Sequence, residues 1–238
     1  MRSLRYRDLV DHHAGPIASR GFRVLLGEQR WQALLAHGSL RTYRPGSFLL
    51  RQGDPGGFVL AVGRGRIAVV AGDANGTELL ISLRGRGDLL GELAMGRNTV
   101  RSATARAIDQ CIAHHVTAES FQAFLAEHAA DAVLKDYLVS KLSETVPYHL
   151  HLVHFSPLRR VARLFTELVA LADQDHPYRE RIPLTQEAIA GALGLARSTV
   201  AEQIAVLRRD GTLTPQSRPA IADLDALRRH AGVLNLPQ

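Results

Sequence analysis

A glycine-led loop and an arginine that follows it carry the clearest chemistry in this sequence. Residues 91–95 read GELAM, and residues 101–103 read RSA. A short helix that starts after Gly91 would point backbone N–H groups at an anion, and the Arg101 guanidinium could neutralise that anion through a bidentate contact. The two segments together predict a phosphate site.

Glu92 narrows the kind of ligand. A carboxylate beside a phosphate is repelled by it unless the carboxylate accepts hydrogen bonds from another group, and a ribose hydroxyl is the obvious donor. Glu92 and Arg101 together therefore predict a nucleotide. The alternative is a surface ion pair between these two residues that only closes the loop.

Residues 185–200 have the chemistry of two helices that meet across a tight turn. Thr185 can cap the first helix, Ala190 is small where the helices approach each other, and Gly194 supplies a left-handed turn residue. This pattern predicts a helix-turn-helix, and the alternative is an α-hairpin that binds protein. The apolar positions that would lock the second helix against the first are Ile189, Leu193, Leu195, Val200, Ile204 and Leu207.

The second helix of this motif, placed in a DNA major groove, would present its N-terminal residues to base edges and phosphates. We expect Arg197 to read guanine. Residues 208–221 predict a helix end, a turn and two short strands, which form a wing that contacts phosphates. The candidate DNA-binding residues are Thr185, Arg197, Ser198, Thr199, Ala201, Glu202 and Arg218.

The elements that position the loop are short β-prone runs between residues 42 and 116, separated by turns that contain glycine. Regular spacing of this kind predicts a small antiparallel barrel or roll. The runs are FLL, FVLAV, RIAVV, ELLISL, TARA and CIAHHV.

Helical character extends from residue 118 to about residue 154. Leu138, Thr145 and Leu152 are spaced seven residues apart and predict a seam that pairs with a second copy of the chain. Pro147 removes one helix hydrogen bond and predicts a kink. The alternative is two helices that meet at Pro147 and pack within their own domain.

A new helix begins after Ser156-Pro157, which places a domain boundary near residue 155. The predicted fold class is α+β, with a jelly-roll-like antiparallel β-roll as sensor, a long dimerisation helix and a C-terminal winged helix-turn-helix. The predicted ranges are 1–22 for an N-terminal arm without assigned function, 23–130 for the β-roll, 131–155 for the dimerisation helix and 156–238 for the winged helix-turn-helix.

The amino-acid composition limits the class of protein to which this chain can belong. Of the 238 residues 46% are hydrophobic and 22% charged, which is ordinary for a soluble globular protein. No apolar run approaches a membrane span and the N-terminus has no export signal, so we expect a cytoplasmic protein without membrane contact. The single cysteine, Cys111, excludes a disulfide or a four-cysteine cluster within one chain. The net charge of +6 suits a nucleic acid but is spread along the chain.

From about residue 23 to 222 the sequence resembles the CRP/FNR family of regulators, with the GEL and RSA segments and the helix-turn-helix in the family's order. The resemblance implies that Glu92 binds the ribose 2′-hydroxyl and that Arg101 and Ser102 bind a cyclic phosphate. It also implies supporting amides from Gly91, Leu93 and Ala103, and a base contact from Thr145. The implied effector is cAMP or cGMP, and the implied partners are double-stranded DNA, a second copy of the chain and RNA polymerase.

Three other interpretations remain open from the sequence. Haem could replace the nucleotide, with axial ligands from among His114, His115, His149, His151 and His154. The chain could also bind DNA without any effector. An enzyme finds little support, because no nucleophile, base and orienting group cluster in the sequence. We expect no catalysis, no metal site and no covalent cofactor.

Overall fold

The computed structural model describes residues 21–72, 78–96 and 99–232, and within the helix Asp131–His154 it describes side chains only as far as residue 144. In these parts of the chain no helix is both long enough and apolar enough to cross a membrane.

The described N-terminal half contains two four-stranded antiparallel sheets, which confirms the predicted β-roll. The strands are β1 (Ser39–Tyr43), β2 (Phe48–Leu50), β3 (Phe58–Arg64), β4 (Ile67–Gly72), β5 (Glu78–Arg84), β6 (Leu89–Leu90), β7 (Thr104–Ala107) and β8 (Cys111–Thr117). The first sheet has the strand order β1-β8-β3-β6 and the second has the order β2-β7-β4-β5. The predicted runs correspond to β2, β3, β4, β5, β7 and β8.

Apolar side chains from both sheets fill the interior of the roll. Leu60 and Val62 of the first sheet pack with Ile67 and Ala105 of the second. Cys111 belongs to the same cluster, and burial raises the pKa of its thiol to about 12. The thiol is therefore protonated and shielded, as expected of a structural cysteine.

Three helices cover the outer face of the first sheet. They are α1 (Phe22–Leu26), α2 (Glu28–Ala36) and α3 (Ala118–Glu127). Phe22 is fully buried and packs against Phe121 and Tyr137. Residues 1–20 of the predicted arm lie outside the described residues.

One helix of 24 residues, α4 (Asp131–His154), follows the roll and continues through Pro147. The structure thus differs from the alternative of two helices that meet at this proline. Tyr137 anchors α4, because its buried hydroxyl accepts a hydrogen bond from the Leu89 amide and donates one to Asp88, each at 3.0 Å. Two of the predicted seam residues, Thr145 and Leu152, have side chains outside the described set.

The described part of the C-terminal domain contains four helices, α5 (Pro157–Ala170), α6 (Gln186–Leu193), α7 (Arg197–Arg209) and α8 (Leu224–Ala231). Local sequence sets their starts. Ser156, Thr185 and Asp223 each accept a hydrogen bond from a backbone amide of the first turn of the helix that follows. Gly194 ends α6 with φ 58° and ψ 43°, as the left-handed turn of a helix-turn-helix requires.

The C-terminal domain packs against the outer face of the second sheet. Val70, Leu80 and Leu83 of the sheet form one apolar cluster with residues of α5, α6, α7 and α8. The described structure thus has four packed layers, namely the helices α1–α3, the first sheet, the second sheet and the C-terminal domain. The second sheet separates the interior of the roll from the C-terminal domain.

A buried guanidinium stabilises the interface between the roll and the C-terminal domain. Arg66 is 1% exposed, and its Nη2 donates to Asp109 at 3.0 Å while its Nη1 donates to the Leu168 carbonyl of α5 at 2.8 Å. Close by, the Gly65 amide donates to the Asp173 carboxylate at 2.9 Å. Charged hydrogen bonds of this kind are strong, because the surroundings exclude water.

The substitution Arg66→Met is expected to lower the free energy of unfolding by about 3–5 kcal/mol, because it leaves the Asp109 carboxylate buried without its partner. Urea denaturation followed by circular dichroism measures this change. Arg106→Met is the matched control, since Arg106 and Glu78 form an exposed pair whose loss is expected to cost under about 1 kcal/mol. Equal losses in the two variants would contradict the role given to Arg66.

Candidate effector cavity and nucleic-acid interface

A cavity of about 520 Å³ lies between the second sheet, the loop over residues 91–103 and α4. The structure brings six of the seven predicted effector residues to its wall, and the side chain of the seventh, Thr145, is outside the described set. The six are Gly91, Glu92, Leu93, Arg101, Ser102 and Ala103. Apolar walls are supplied by Leu50, Val69, Ile81, Leu90, Ala94, Ala105, Leu138, Val139 and Leu142.

Arg101 is 3% exposed and is held by neutral acceptors. Its Nη1 donates to the Gly91 carbonyl at 2.8 Å, its Nη2 donates to the Phe58 carbonyl at 3.0 Å, and the guanidinium stacks 4.3 Å from the Phe58 ring centre. Burial lowers the pKa of Arg101, against the opposing effect of Glu92, but an arginine stays protonated in proteins. The loop therefore positions a positive charge without neutralising it.

Gly91 makes this placement possible. Its φ is 85°, a left-handed conformation that side chains rarely adopt. A β-carbon at this position would collide with the Arg101 guanidinium. Both the backbone conformation and the close approach of Arg101 therefore require glycine at this position. A short 3-10 helix, Glu92–Ala94, follows it.

Glu92 is paired with Lys141 of α4, at 2.7 Å from Oε1 to Nζ, and its side chain is 2% exposed. The alternative of a surface ion pair between Glu92 and Arg101 is wrong, because both residues are buried and the carboxylate bonds to a different cation. Sequence patterns do not indicate this lysine. Its position four residues before Thr145, on the same face of a helix, is the signal that could have found it.

Arg84, at the end of β5, is a second cavity residue that sequence patterns miss. Its Nη1 donates to the Glu144 carboxylate of α4 at 2.8 Å, and its Nε is buried without a hydrogen-bond partner among the described residues. Burial opposes the charge of Arg84, but Asp88 and Glu144 outweigh it and raise the pKa of Arg84 above its ordinary value. The sequence feature that could have indicated Arg84 is its position as a charged residue at the end of an apolar strand.

The charged residues that line the cavity are three cations, Arg84, Arg101 and Lys141, and one carboxylate, Glu92, within the described chain. Net positive charge and apolar walls suit an anionic ligand that also carries a flat or apolar part. The arrangement is chemically suited to binding such a ligand.

The helix-turn-helix presents a separate candidate surface. Val200, Ile204 and Leu207 of α7 are buried against the domain core. Of the predicted DNA-binding residues on this helix, Arg197, Ser198 and Glu202 are exposed, whereas Thr199 and Ala201 are partly buried. Ala196 gives α7 no side-chain cap, so the amides of the first turn remain available to a phosphate.

The wing differs from the predicted pair of strands. Only isolated antiparallel bridges are formed in this region, between Leu213 and Ile221 and between Arg181 and Ala220. The turn is held instead by Arg208 of α7, whose Nη2 donates to the carbonyl of Gln216 at 2.7 Å. Arg208 is a positioning residue that the sequence motif does not indicate.

The other two predicted DNA-binding residues, Thr185 and Arg218, line a cleft between the roll and the C-terminal domain. The Thr185 hydroxyl accepts from the Ala188 amide at 3.1 Å, which confirms its capping role. Arg218 is exposed. All seven predicted residues thus lie on one domain, and α7 carries five of them.

One group of possible metal ligands occurs among the described residues. His37, Glu127 and His128 lie at the ends of α2 and α3, with their ligand atoms within 4.8 Å of one another. Both histidine rings contact the ring of Phe124. None of the three lines the cavity, so this group is separate from the candidate effector site.

Comparison with known proteins identifies both halves of the chain. Residues 40–128 match the model of the cyclic nucleotide-binding domain, and residues 159–230 match the model of the Crp-like helix-turn-helix domain. The two segments together make up more than half of the chain and follow each other in the order predicted from the sequence.

Curated relatives and solved structures support the same two-domain assignment. The cAMP-activated global transcriptional regulator CRP of Salmonella typhimurium is 23% identical over 79% of this chain and 90% of its own length. The cAMP-activated global transcriptional regulator Vfr of Pseudomonas aeruginosa is 26% identical over 75% of this chain and 86% of its own.

The structure of the c-di-GMP responsive global regulator CLP of Xanthomonas campestris has a similar fold, with a TM-score of 0.66 and 21% identity over 83% of this chain and all of that one. The two matched domains, their order, and the fold they share with such regulators lead to one conclusion. The chain belongs to the CRP/FNR family of DNA-binding transcription regulators, which act as dimers.

Proposed function

We propose that a cyclic nucleotide binds in the cavity and controls the binding of DNA by a homodimer. The observation that carries this proposal is the buried Arg101 guanidinium, which lines the cavity and bonds only to neutral carbonyl groups among its described contacts. A buried guanidinium that no carboxylate among its described contacts bonds directly favours an anion of matching geometry, and a phosphate accepts two parallel hydrogen bonds from a guanidinium.

The remaining parts of a nucleotide have matching surroundings. Glu92 offers a carboxylate for a ribose hydroxyl, Ser102 offers a hydroxyl to the phosphate, and the apolar walls suit a base. Both cAMP and cGMP contain these phosphate and ribose groups. Since the similar regulator CLP is named as responsive to c-di-GMP, a guanine dinucleotide belongs among the ligands to be tested.

The proposed dimer contact is the exposed face of α4, within the predicted range 131–155. Val139 is 63% exposed and Leu142 is 64% exposed, and their spacing of three residues places them on one face of the helix. Both also line the cavity. A second chain that covers this face would therefore lie beside the bound nucleotide, which would couple effector binding to the geometry of the dimer.

The proposed DNA contact is the exposed N-terminal part of α7 with the wing. In a dimer the two α7 helices would read half-sites about one DNA turn apart. Contact with RNA polymerase and action in the cytoplasm stay predictions from the family resemblance, and we assign no catalysis to the chain.

Haem is the less favoured effector. No histidine is found in the cavity wall within the described residues. His114 Nδ1 lies 3.0 Å from the Leu35 carbonyl oxygen, and His115 stacks on Phe58 at 4.2 Å. The side chains of His149, His151 and His154 are outside the described set.

The substitution Arg101→Ala is expected to weaken nucleotide binding about 30-fold or more, because a charged hydrogen-bond partner of the phosphate is removed. Isothermal titration calorimetry with cAMP, cGMP and c-di-GMP measures this. Arg106→Ala, which removes a guanidinium outside the cavity, should bind like the parent protein. If none of the three nucleotides binds the parent protein, the effector proposal is overturned and DNA binding without effector takes its place.

The substitution Leu142→Glu is expected to shift the protein from dimer to monomer, because it places a charge in the proposed apolar contact. Analytical ultracentrifugation measures the mass in solution. Asp136→Lys changes the charge of an exposed residue that lies about a third of a turn from Leu142 around α4, and it should leave the dimer intact. A stable Leu142→Glu dimer would place the interface elsewhere.

The substitution Arg197→Ala is expected to cost about 1–3 kcal/mol in DNA binding and to relax selectivity at one base pair. The operator is first selected from a random DNA library, and fluorescence anisotropy then measures the affinities. Arg229→Ala removes an exposed arginine of α8 and should preserve the base preference. A uniform loss across all sequences would assign Arg197 to phosphate contact instead.

A further inference from the structure

Beside the cavity lies a pair that the proposed function does not use. It is formed by Arg84, which lines the cavity, and Glu144, whose side chain is 23% exposed but is not part of the described lining. Arg84 is 4% exposed and lines the cavity, and its Nε is buried without a partner among the described residues. Because this Nε has almost no accessible surface, a ligand would have to accept from another of the five N–H donors of the guanidinium, of which the bond to Glu144 uses one.

The position of the pair fits the base of a nucleotide better than the phosphate. Arg101 and Ser102, on the loop, supply the proposed phosphate contacts, whereas Arg84 ends a strand of the second sheet and reaches α4. Glu144 directly precedes Thr145, the residue that the family resemblance assigns to the base. Apolar side chains of the sheet and of α4, including Ile81 and Leu138, also line the cavity and would contact a ring.

The pair places an arginine donor beside a carboxylate acceptor. Guanine has two acceptors, O6 and N7, on one edge, and two donors, N1–H and the N2 amino group, on the adjoining edge. An arginine can donate to O6 and N7 while a carboxylate accepts from N1–H and N2–H. Adenine has the opposite pattern beside N7, because its N6 amino group would face the donors of Arg84 and its N1 acceptor would face the carboxylate.

We propose that Arg84 and Glu144 read the base of the effector and select guanine over adenine. This inference rests on the proposed function, because it assigns a base preference to the same nucleotide site. The guanine can come from cGMP or from c-di-GMP, which share this edge. A pair that only holds α4 against the roll would influence stability and would leave the preference between bases unchanged.

The test is a calorimetric comparison of cGMP, c-di-GMP and cAMP on the full-length protein. A guanine nucleotide is expected to bind at least about 10-fold more tightly than cAMP. In Arg84→Leu and in Glu144→Gln the ratio is expected to fall towards one, whereas in Arg106→Leu, whose exposed pair with Glu78 does not line the cavity, it should stay as in the parent protein. The two guanine nucleotides, compared with each other, identify the source.

Altered ligands keep the test valid if the Arg84 variant fails to fold. The 7-deaza analogue of cGMP lacks the N7 acceptor, and cyclic inosine monophosphate lacks the N2 amino group. Each is expected to bind the parent protein several-fold more weakly than cGMP, because each loses one contact of the pair.

The outcomes separate the two proposals. If cAMP binds as tightly as the guanine nucleotides, or more tightly, and Arg101→Ala abolishes binding of all of them, the base assignment is overturned and the proposed function stands. If no nucleotide binds the parent protein, the proposed function fails and the base assignment fails with it.

Discussion

The ion pair between Glu92 and Lys141 is the contact on which the organisation of the effector cavity depends. Burial of a charged carboxylate costs free energy unless a cation lies beside it, and the cation beside Glu92 comes from α4. The loop over residues 91–103 is thereby tied to the helix that we propose as the dimer contact. The Arg84–Glu144 pair repeats this arrangement from the second sheet, so two ion pairs hold α4 beside the cavity in addition to the Tyr137 hydrogen bonds.

Buried ion pairs of this type contribute little net stability compared with apolar packing, yet the loss of one partner is costly. The apolar clusters of the roll and of the C-terminal domain supply the stability of the fold. The charges instead determine where α4 lies and what the cavity can accept. A ligand that bonds to Lys141 or Glu144 would replace part of these ion pairs. It could therefore change the position of α4.

Much of the architecture was accessible from the sequence, because local patterns report local structure. Six of the eight described strands coincide with apolar runs, but β1 is exposed along most of its length and β6 has two residues, so neither shows a pattern. The helix-turn-helix was accessible for the same reason, since its cap, its turn glycine and its apolar positions lie within 23 residues.

The charge partners of the cavity were not accessible in this way. Lys141 lies 49 residues after Glu92, and Glu144 lies 60 residues after Arg84. Only the folded chain brings such residues together, whereas sequence proximity suggested Arg101 as the partner of Glu92. The wing is a similar case, because the side chain of Arg208 orders its turn and the expected strand pairing is reduced to isolated bridges.

Strand β5 faces two functional regions at once. Ile81, Ser82 and Arg84 line the cavity, while Leu80 and Leu83 belong to the apolar cluster shared with the C-terminal domain. Effector and DNA would thus act on opposite sides of one strand. Thermodynamic linkage then works in both directions. If the nucleotide raises the affinity for the operator by some factor, the operator raises the affinity for the nucleotide by the same factor. The number of free operator sites would then influence how much nucleotide the protein retains.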